Sequence, residues 1–233
     1  MANIMPKAKR AAIHTAVLHA AALLFLKKGY TDTSLREISE LSGVHISKIN
    51  REFGGKGKIL CALVGFVLDR QFTATKQLMS GVTDDLVLYY AAETTMQLYM
   101  SESDESVRNL YSTAYFLPES AELIHRSVVE KLTRTAFAPY HPGATYEDFY
   151  HMEVATSGII LGYTLLPITP DYPVETKVRN FLAASLRVYR VPEEKIMEAV
   201  AFVKSFDYPA IAEQTIAQTL AALESSQKTG KGN

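Results

Sequence analysis

The sequence predicts an all-α protein, with an N-terminal three-helix module carrying a helix-turn-helix and a C-terminal helical bundle. Three observations predict it. Apolar residues recur at helical spacing in segments bounded by Gly, Pro and hydroxyl or acidic residues. No alternating strand pattern of useful length, repeat or low-complexity tract interrupts them. Residues 25–60, FLKKGYTDTSLREISELSGVHISKINREFGGKGKIL, lay out a helix end, two short helices around a glycine turn, and the start of a long helix, which is the layout of a helix-turn-helix.

Each element has its own local cause. Gly29 is placed to close the first helix as a C-cap. Thr33 or Ser34 offers a hydroxyl N-cap, with Glu37 in capping-box position to Ser34. Leu35, Ile38 and Leu41 are expected to form a buried stripe, and Ser42-Gly43 the turn. Val44 tucks in before a second short helix whose Ile49 and Phe53 face the core. A long helix is expected over about 56–79, broken by Gly81, with Asp84 or Asp85 opening the next to about 100. Another runs from near 105 to 117. Pro118 stops it and also starts its successor, with Glu119 and Glu122 in the first turn. APYHPGA (138–144) and PITPDYP are loops, and Thr145 caps a helix to 166 between them. Helices over 174–190, 192–205 and 207–226 complete the chain. The expected units are 1–55, 56–226 and a frayed tail, 227–233.

At 233 residues the chain can bury a full core as one or two helical domains. Its net charge is only -1, but the charge is unevenly distributed. Residues 1–60 hold ten Lys and Arg against four Asp and Glu; the remainder holds fourteen against twenty-one. A basic head on an acidic body suits a phosphate-facing module joined to a solvated domain. The lone cysteine, Cys61, excludes an intramolecular disulfide and a Cys-rich zinc site; its apolar setting reads as a buried structural thiol in a reducing compartment. Residues 1–26 superficially resemble a signal peptide. His19 interrupts the apolar run, Lys27 and Lys28 follow it, and no small-x-small cleavage site precedes a new domain. No apolar run is expected to reach the roughly 18 residues of a membrane span, so a cytoplasmic protein without membrane contact is expected.

Enzyme signatures are absent: there is no P-loop, GxSxG, HExxH or GxGxxG. GGKGK (54–58) lacks the spaced second glycine of a phosphate loop. Glu147 and His151 stand four apart with His141 nearby, but such pairs are mostly solvated or locally hydrogen-bonded, and no metal or cofactor is expected.

The N-terminal third resembles the tetracycline-repressor (TetR) family of one-component bacterial regulators. The resemblance rests on Phe25, Gly29 and Tyr30; on Ser34 and Ile38; on Gly43 and Val44; and on Ile49, Phe53, Lys56 and Ile59, at the family's spacing over 6–67. It implies a homodimeric, ligand-responsive repressor that reads a pseudo-palindromic double-stranded DNA operator. Arg36, Ser47, Lys48 and Asn50 are expected at base edges, and Thr33, Ser34, His45, Arg51 and Lys56 at phosphates. His45, Ser47, Asn50 and Glu52 depart from the family's usual residues, and a carboxylate at Glu52 is expected to repel phosphate. The alternative is a helical small-molecule-binding or scaffolding protein that has lost operator recognition. The body is rich in tyrosine, and similar proteins bind a small apolar or aromatic effector there. Met96, Tyr99, Tyr111 and Tyr115 are the expected pocket residues, with Phe149 and Tyr150 the next candidates. Helices 145–166 and 174–190 occupy positions that dimerise in similar proteins, and Gly158 and Gly162 allow close approach.

Overall fold

The computed structural model describes residues 7–228, so the expected frayed tail lies outside the described residues from 229 on. The head comprises α1 (Lys7–Asp32), α2 (Leu35–Ser42) and α3 (Ile46–Phe53). The long helix α4 (Lys56–Met79) leads into a body of α5 (Leu86–Ser101), α6 (Glu105–Phe116), α7 (Pro118–Val128), α8 (Arg134–Phe137), α9 (Tyr146–Leu165), α10 (Val174–Val188), α11 (Glu193–Val203) and α12 (Tyr208–Lys228). Among the described residues the sole strand-like pairing is the bridge between Thr169 and Tyr172.

The expected caps form. Gly29 adopts φ 84° and bends the end of α1, which continues to Asp32. Ser34 and Glu37 complete a capping box on α2, as do Thr145 and Asp148 on α9. Gly43 and Gly54 close α2 and α3 in the left-handed conformation, which a side chain rarely adopts. Pro118 starts α7, and Asp85 rather than Asp84 caps α5. Three details differ from expectation. The stretch after α7 does not stay α-helical: Val129–Thr133 widens into a π turn before α8. Helix α10 stops two residues early, because Arg190 turns left-handed (φ 55°) and the Val191 N–H reaches back to the Leu186 carbonyl. Leu41 is half exposed (52%); Ile38, 60° round the helix from it, carries the burial for this eight-residue element.

Two apolar clusters hold the molecule. The first packs α5, the π turn, α8, α9, α10, α11 and the start of α12 around Met96, Phe137, Phe181 and Tyr189. The second packs Val17, Ala21 and Phe25 of α1 with Ile38 and Ile49. It continues through Ile59–Leu68 of α4 to Ala114, Ile124 and Leu223 of α6, α7 and α12. The core of the head thus continues into the body along α4. Residues Ala8–Asp32 do reach the length and mean hydropathy (1.3) of a membrane span, contrary to the expectation from the sequence. Val17, Ala20, Ala21 and Phe25 use that apolar character inside the second cluster.

Candidate nucleic-acid interface and helical cavities

The helix-turn-helix is built to hold its polar groups at the surface. The Ser34 hydroxyl accepts from the Glu37 N–H (3.2 Å), while the Glu37 carboxylate accepts from the Ser34 N–H (3.0 Å) and from Lys28 Nζ (2.5 Å). Hydrogen bonds from Lys28 and then Ser34 hold the Glu37 carboxyl down at about 2. His45 caps α3, its Nδ1 accepting from the Ser47 N–H at 3.3 Å. Ser47, Asn50 and Arg51 are exposed on α3 and Lys48 is half-buried. The Arg36 side chain is 84% exposed and leans on Glu40 at 3.0 Å, a contact weak enough for DNA to replace. These groups share one small module.

Three head residues make contacts within the head that their sequence-based reading did not include. Thr33 is buried, and its hydroxyl donates to the Gly29 carbonyl (2.8 Å), which locks the bend of α1. Lys56 Nζ donates to the carbonyls of Tyr30 (2.7 Å), Thr31 (3.1 Å) and Thr33 (2.8 Å) and lies over the Tyr30 ring. All three ammonium protons are thus engaged at the end of α1, and Lys56 fastens α4 to it. Glu52 receives Arg10 Nε at 2.8 Å and His14 Nε2 at 3.6 Å, with Arg51 at 3.7 Å. Burial pushes its carboxyl up, but Arg10 chiefly, with His14 and Arg51, holds it below the usual carboxylate range. The carboxylate expected to repel DNA is neutralised from within the head.

In the body, a central cavity of about 60 Å³ lies between α4, α5, α6 and α7. Leu60, Leu63, Val64, Val67 and Leu68 of α4 give it an apolar wall, and Tyr111, Tyr115, Gln71 and Gln97 give it polar points. The Tyr111 hydroxyl donates to Gln71 Oε1 (3.1 Å), and Gln71 Nε2 donates to Glu93 Oε1 (2.8 Å). Gln97 Nε2 donates to the Tyr115 hydroxyl at 2.6 Å. Beyond Gln97 and Tyr115 a smaller void reaches Glu153 of α9. Both carboxyls are buried. Burial pushes Glu93 up to about 7 against the Gln71 hydrogen bond. It pushes Glu153 to about 8 against hydrogen bonds from Tyr189 and Ser157, with the Glu93 charge adding to the rise. Burial likewise lifts the Tyr111 and Tyr115 phenols well above their ordinary value, so both stay neutral donors.

Of the expected pocket residues, Tyr111 and Tyr115 line this cavity. Met96 is fully buried in the body core, with Thr215 Oγ1 3.9 Å from its sulfur. Tyr99 points to the other side of α5, 200° round the helix from Gln97, where it stacks on Tyr208 (5.4 Å). Phe149 is buried with the His141 ring at 5.9 Å, and the Tyr150 hydroxyl bonds Glu122 beneath Arg126. Neither lines the cavity. Sequence reading missed Gln71, Gln97, Glu93 and Glu153. The signal was present for Glu93, which is the lone charged residue of α5. Glu147 and His151 pair with each other at 3.4 Å on an exposed face, and among the described residues no three His, Cys, Asp or Glu converge on one point.

Residues 17–63, the stretch from mid-α1 to the second turn of α4, match the model of "Bacterial regulatory proteins, tetR family". The head therefore carries a segment that matches the tetR family. The tetR-family segment contains every residue expected at base edges and phosphates. The whole fold is also similar to that of RolR, solved in complex with the ligand resorcinol, with a TM-score of 0.64. That likeness spans 82% of this chain and 94% of RolR at 18% identity, and at that distance it speaks for the fold alone. No curated protein matches the sequence.

Proposed function

We propose that this chain is a cytoplasmic, homodimeric tetR-family repressor that leaves a pseudo-palindromic operator when a small aromatic molecule enters the central cavity. Helix α4 carries the reading. Its first residue, Lys56, fastens the head, and its residues from Leu60 to Gln71 line the cavity. About 22 Å of one stiff helix separates Lys56 from Gln71. At about 60 Å³ the cavity is smaller than the roughly 150 Å³ that accepts a benzene ring. A one-ring effector therefore needs α4, α6 or α7 to give way, and a moved α4 moves the head. That is the differential between two conformations which any release requires.

The chemistry of the wall supports a ring bearing hydroxyls, because Tyr111, Tyr115, Gln71 and Gln97 offer donors and acceptors around an apolar centre. RolR's ligand, resorcinol, is such a molecule. A dimer is supported by α9, whose Val154, Ala155, Gly158, Gly162 and Leu165 lie exposed along one side. A Cβ added at Gly158 or Gly162 would meet no atom within 4 Å, so packing inside one subunit does not account for the pair. Dimerisation supplies the two heads that successive major grooves, about 34 Å apart, require.

The test is a titration of resorcinol against the protein bound to DNA from upstream of its own gene. Release from wild type, blunted in Tyr111→Ala and retained in Tyr99→Ala, is expected. Equal release from Tyr111→Ala would move the effector out of the central cavity.

A further inference from the structure

A second cavity, of about 250 Å³, lies on the far side of α5 and shares no residue with the central one. It is bounded by α5, α10, α11 and the start of α12. One wall is aromatic: Tyr99 and Tyr208 stack with their rings 18° from parallel. Val178, Val200 and Phe206 make the remainder apolar. Arg179 and Lys204 stand exposed at its edge, and among the described residues neither is recorded in an ion pair. The one carboxylate there, Glu175, accepts the Tyr99 hydroxyl at 3.2 Å. Two lining residues are buried with an unused hydroxyl: Thr95 (1% exposed) and Tyr208 (2% exposed) have no hydrogen-bond partner.

Each feature restricts the occupant. Unpartnered buried hydroxyls are uncommon and costly unless something completes them. Two unpaired cations against one engaged carboxylate leave a positive excess, which an anion satisfies and a neutral molecule does not. A planar wall favours a ring. The volume exceeds the roughly 150 Å³ that takes benzene, so one ring fits without rearrangement, unlike in the central cavity. Burial, with the nearby Glu175 charge, pushes the Tyr99 phenol up to about 12, so it remains a donor.

We propose that this cavity is a second binding site, for a small aromatic carboxylate. Its ring lies against Tyr99 and Tyr208, and its carboxylate meets Arg179 and Lys204. The site does not depend on the DNA-reading function. An occupant would brace the first turn of α12 against α5 and α10, and α12 also packs on α1 of the head.

The experiment is calorimetric titration of the full chain, without DNA, using benzoate and its neutral isostere benzamide. Benzoate is expected to bind at least tenfold more tightly than benzamide. The Arg179→Gln/Lys204→Gln double variant should lose roughly tenfold or more in benzoate affinity, about 1.4 kcal/mol. Both substitutions are at the surface, so the variant should fold and keep its wild-type response to resorcinol. Thr95→Val, nearly isosteric, should weaken benzoate severalfold while raising the melting temperature. Absence of benzoate binding at millimolar concentration overturns the proposal. So does equal binding of the two probes, unchanged benzoate affinity in the double variant, or competition between benzoate and resorcinol.

Discussion

In the head, Glu52 lies against Arg10 and His14, and Glu37 against Lys28, so both carboxylates keep their charge by being paired. In the body, Glu93 and Glu153 lie among Gln71, Tyr189, Ser157 and Thr156; among the described residues no cation pairs with either, and burial favours the protonated form of each. The difference follows from access to mobile cations. Glu37 is part-exposed, and the largely buried Glu52 side chain is met by Arg10 from the surface, whereas a carboxylate deep in the core must bring its own partner or lose its charge. The two regions should therefore answer pH in opposite directions.

Lys177 marks where the body departs from this contrast. It is fully buried, bonded to Glu102 and to the Leu166 carbonyl (2.5 Å), while Arg108 reaches Glu102 at 2.8 Å. Lys177→Met should leave a buried charge short of a partner and cost about 3–5 kcal/mol in urea unfolding. A cost below about 1 kcal/mol would mean that Arg108 alone suffices. Next in size is Lys56→Met, which strips donors from three carbonyls at the end of α1 and should cost about 2–4 kcal/mol of stability. The salt slope of DNA binding by the folded variant should stay at the wild-type value. A slope lower by about one ion would instead return Lys56 to the phosphates.

The pH contrast comes third. Glu93 and Glu153 bind protons more tightly folded than unfolded, so their contribution is full below the ordinary glutamate value near 4.5. It is lost as pH rises through about 7 and 8. Glu93→Gln and Glu153→Gln should each flatten the fall in unfolding free energy between pH 5 and 8, by on the order of 2–3 kcal/mol. Glu52 runs the other way. Held below its ordinary value, it contributes above that value, and the contribution is lost as pH falls through its folded value. Glu52→Gln should blunt acid unfolding; unchanged acid behaviour would show that Arg10 and His14 do not stabilise it. The smallest effect concerns reading. Arg36→Ala should leave stability unchanged and cost about 1–2 kcal/mol of operator affinity, relaxing preference at one base pair per half-site in a competition assay.

The helical layout was legible because its punctuation is local. Ser34 with Glu37, Thr145 with Asp148, Pro118 and Gly54 act on the backbone beside them, and α4 runs from Lys56 to Met79 as its apolar spacing predicts. What was not legible was non-local. Lys56 is a cation in a phosphate-binding module, and nothing in its neighbours shows that three carbonyls some 25 residues earlier wait for it. Glu52 read as a flaw because Arg10, 42 residues away, was out of view. In the body, aromatic content pointed to a pocket but not to its side of α5. Tyr99 and Gln97 differ by 200° on the helix, and only packing decides which faces α4. Glu93 stood alone in an uncharged helix and was the legible clue to the polar wall.

The placement of α12 also bears on synthesis. Leu223 lies buried in the same cluster as Val17 and Phe25 of α1, some 200 residues earlier. A ribosome making this chain at roughly 5–20 residues per second leaves α1 without that cover for at least about 10 seconds. During that interval Ala22 and Leu26, which line the α1–α12 seam, are open to other surfaces. Any product that stops before 208 keeps the complete tetR-family segment but leaves that seam bare. Such fragments should be removed by proteolysis or held by chaperones rather than compete with the full chain for DNA.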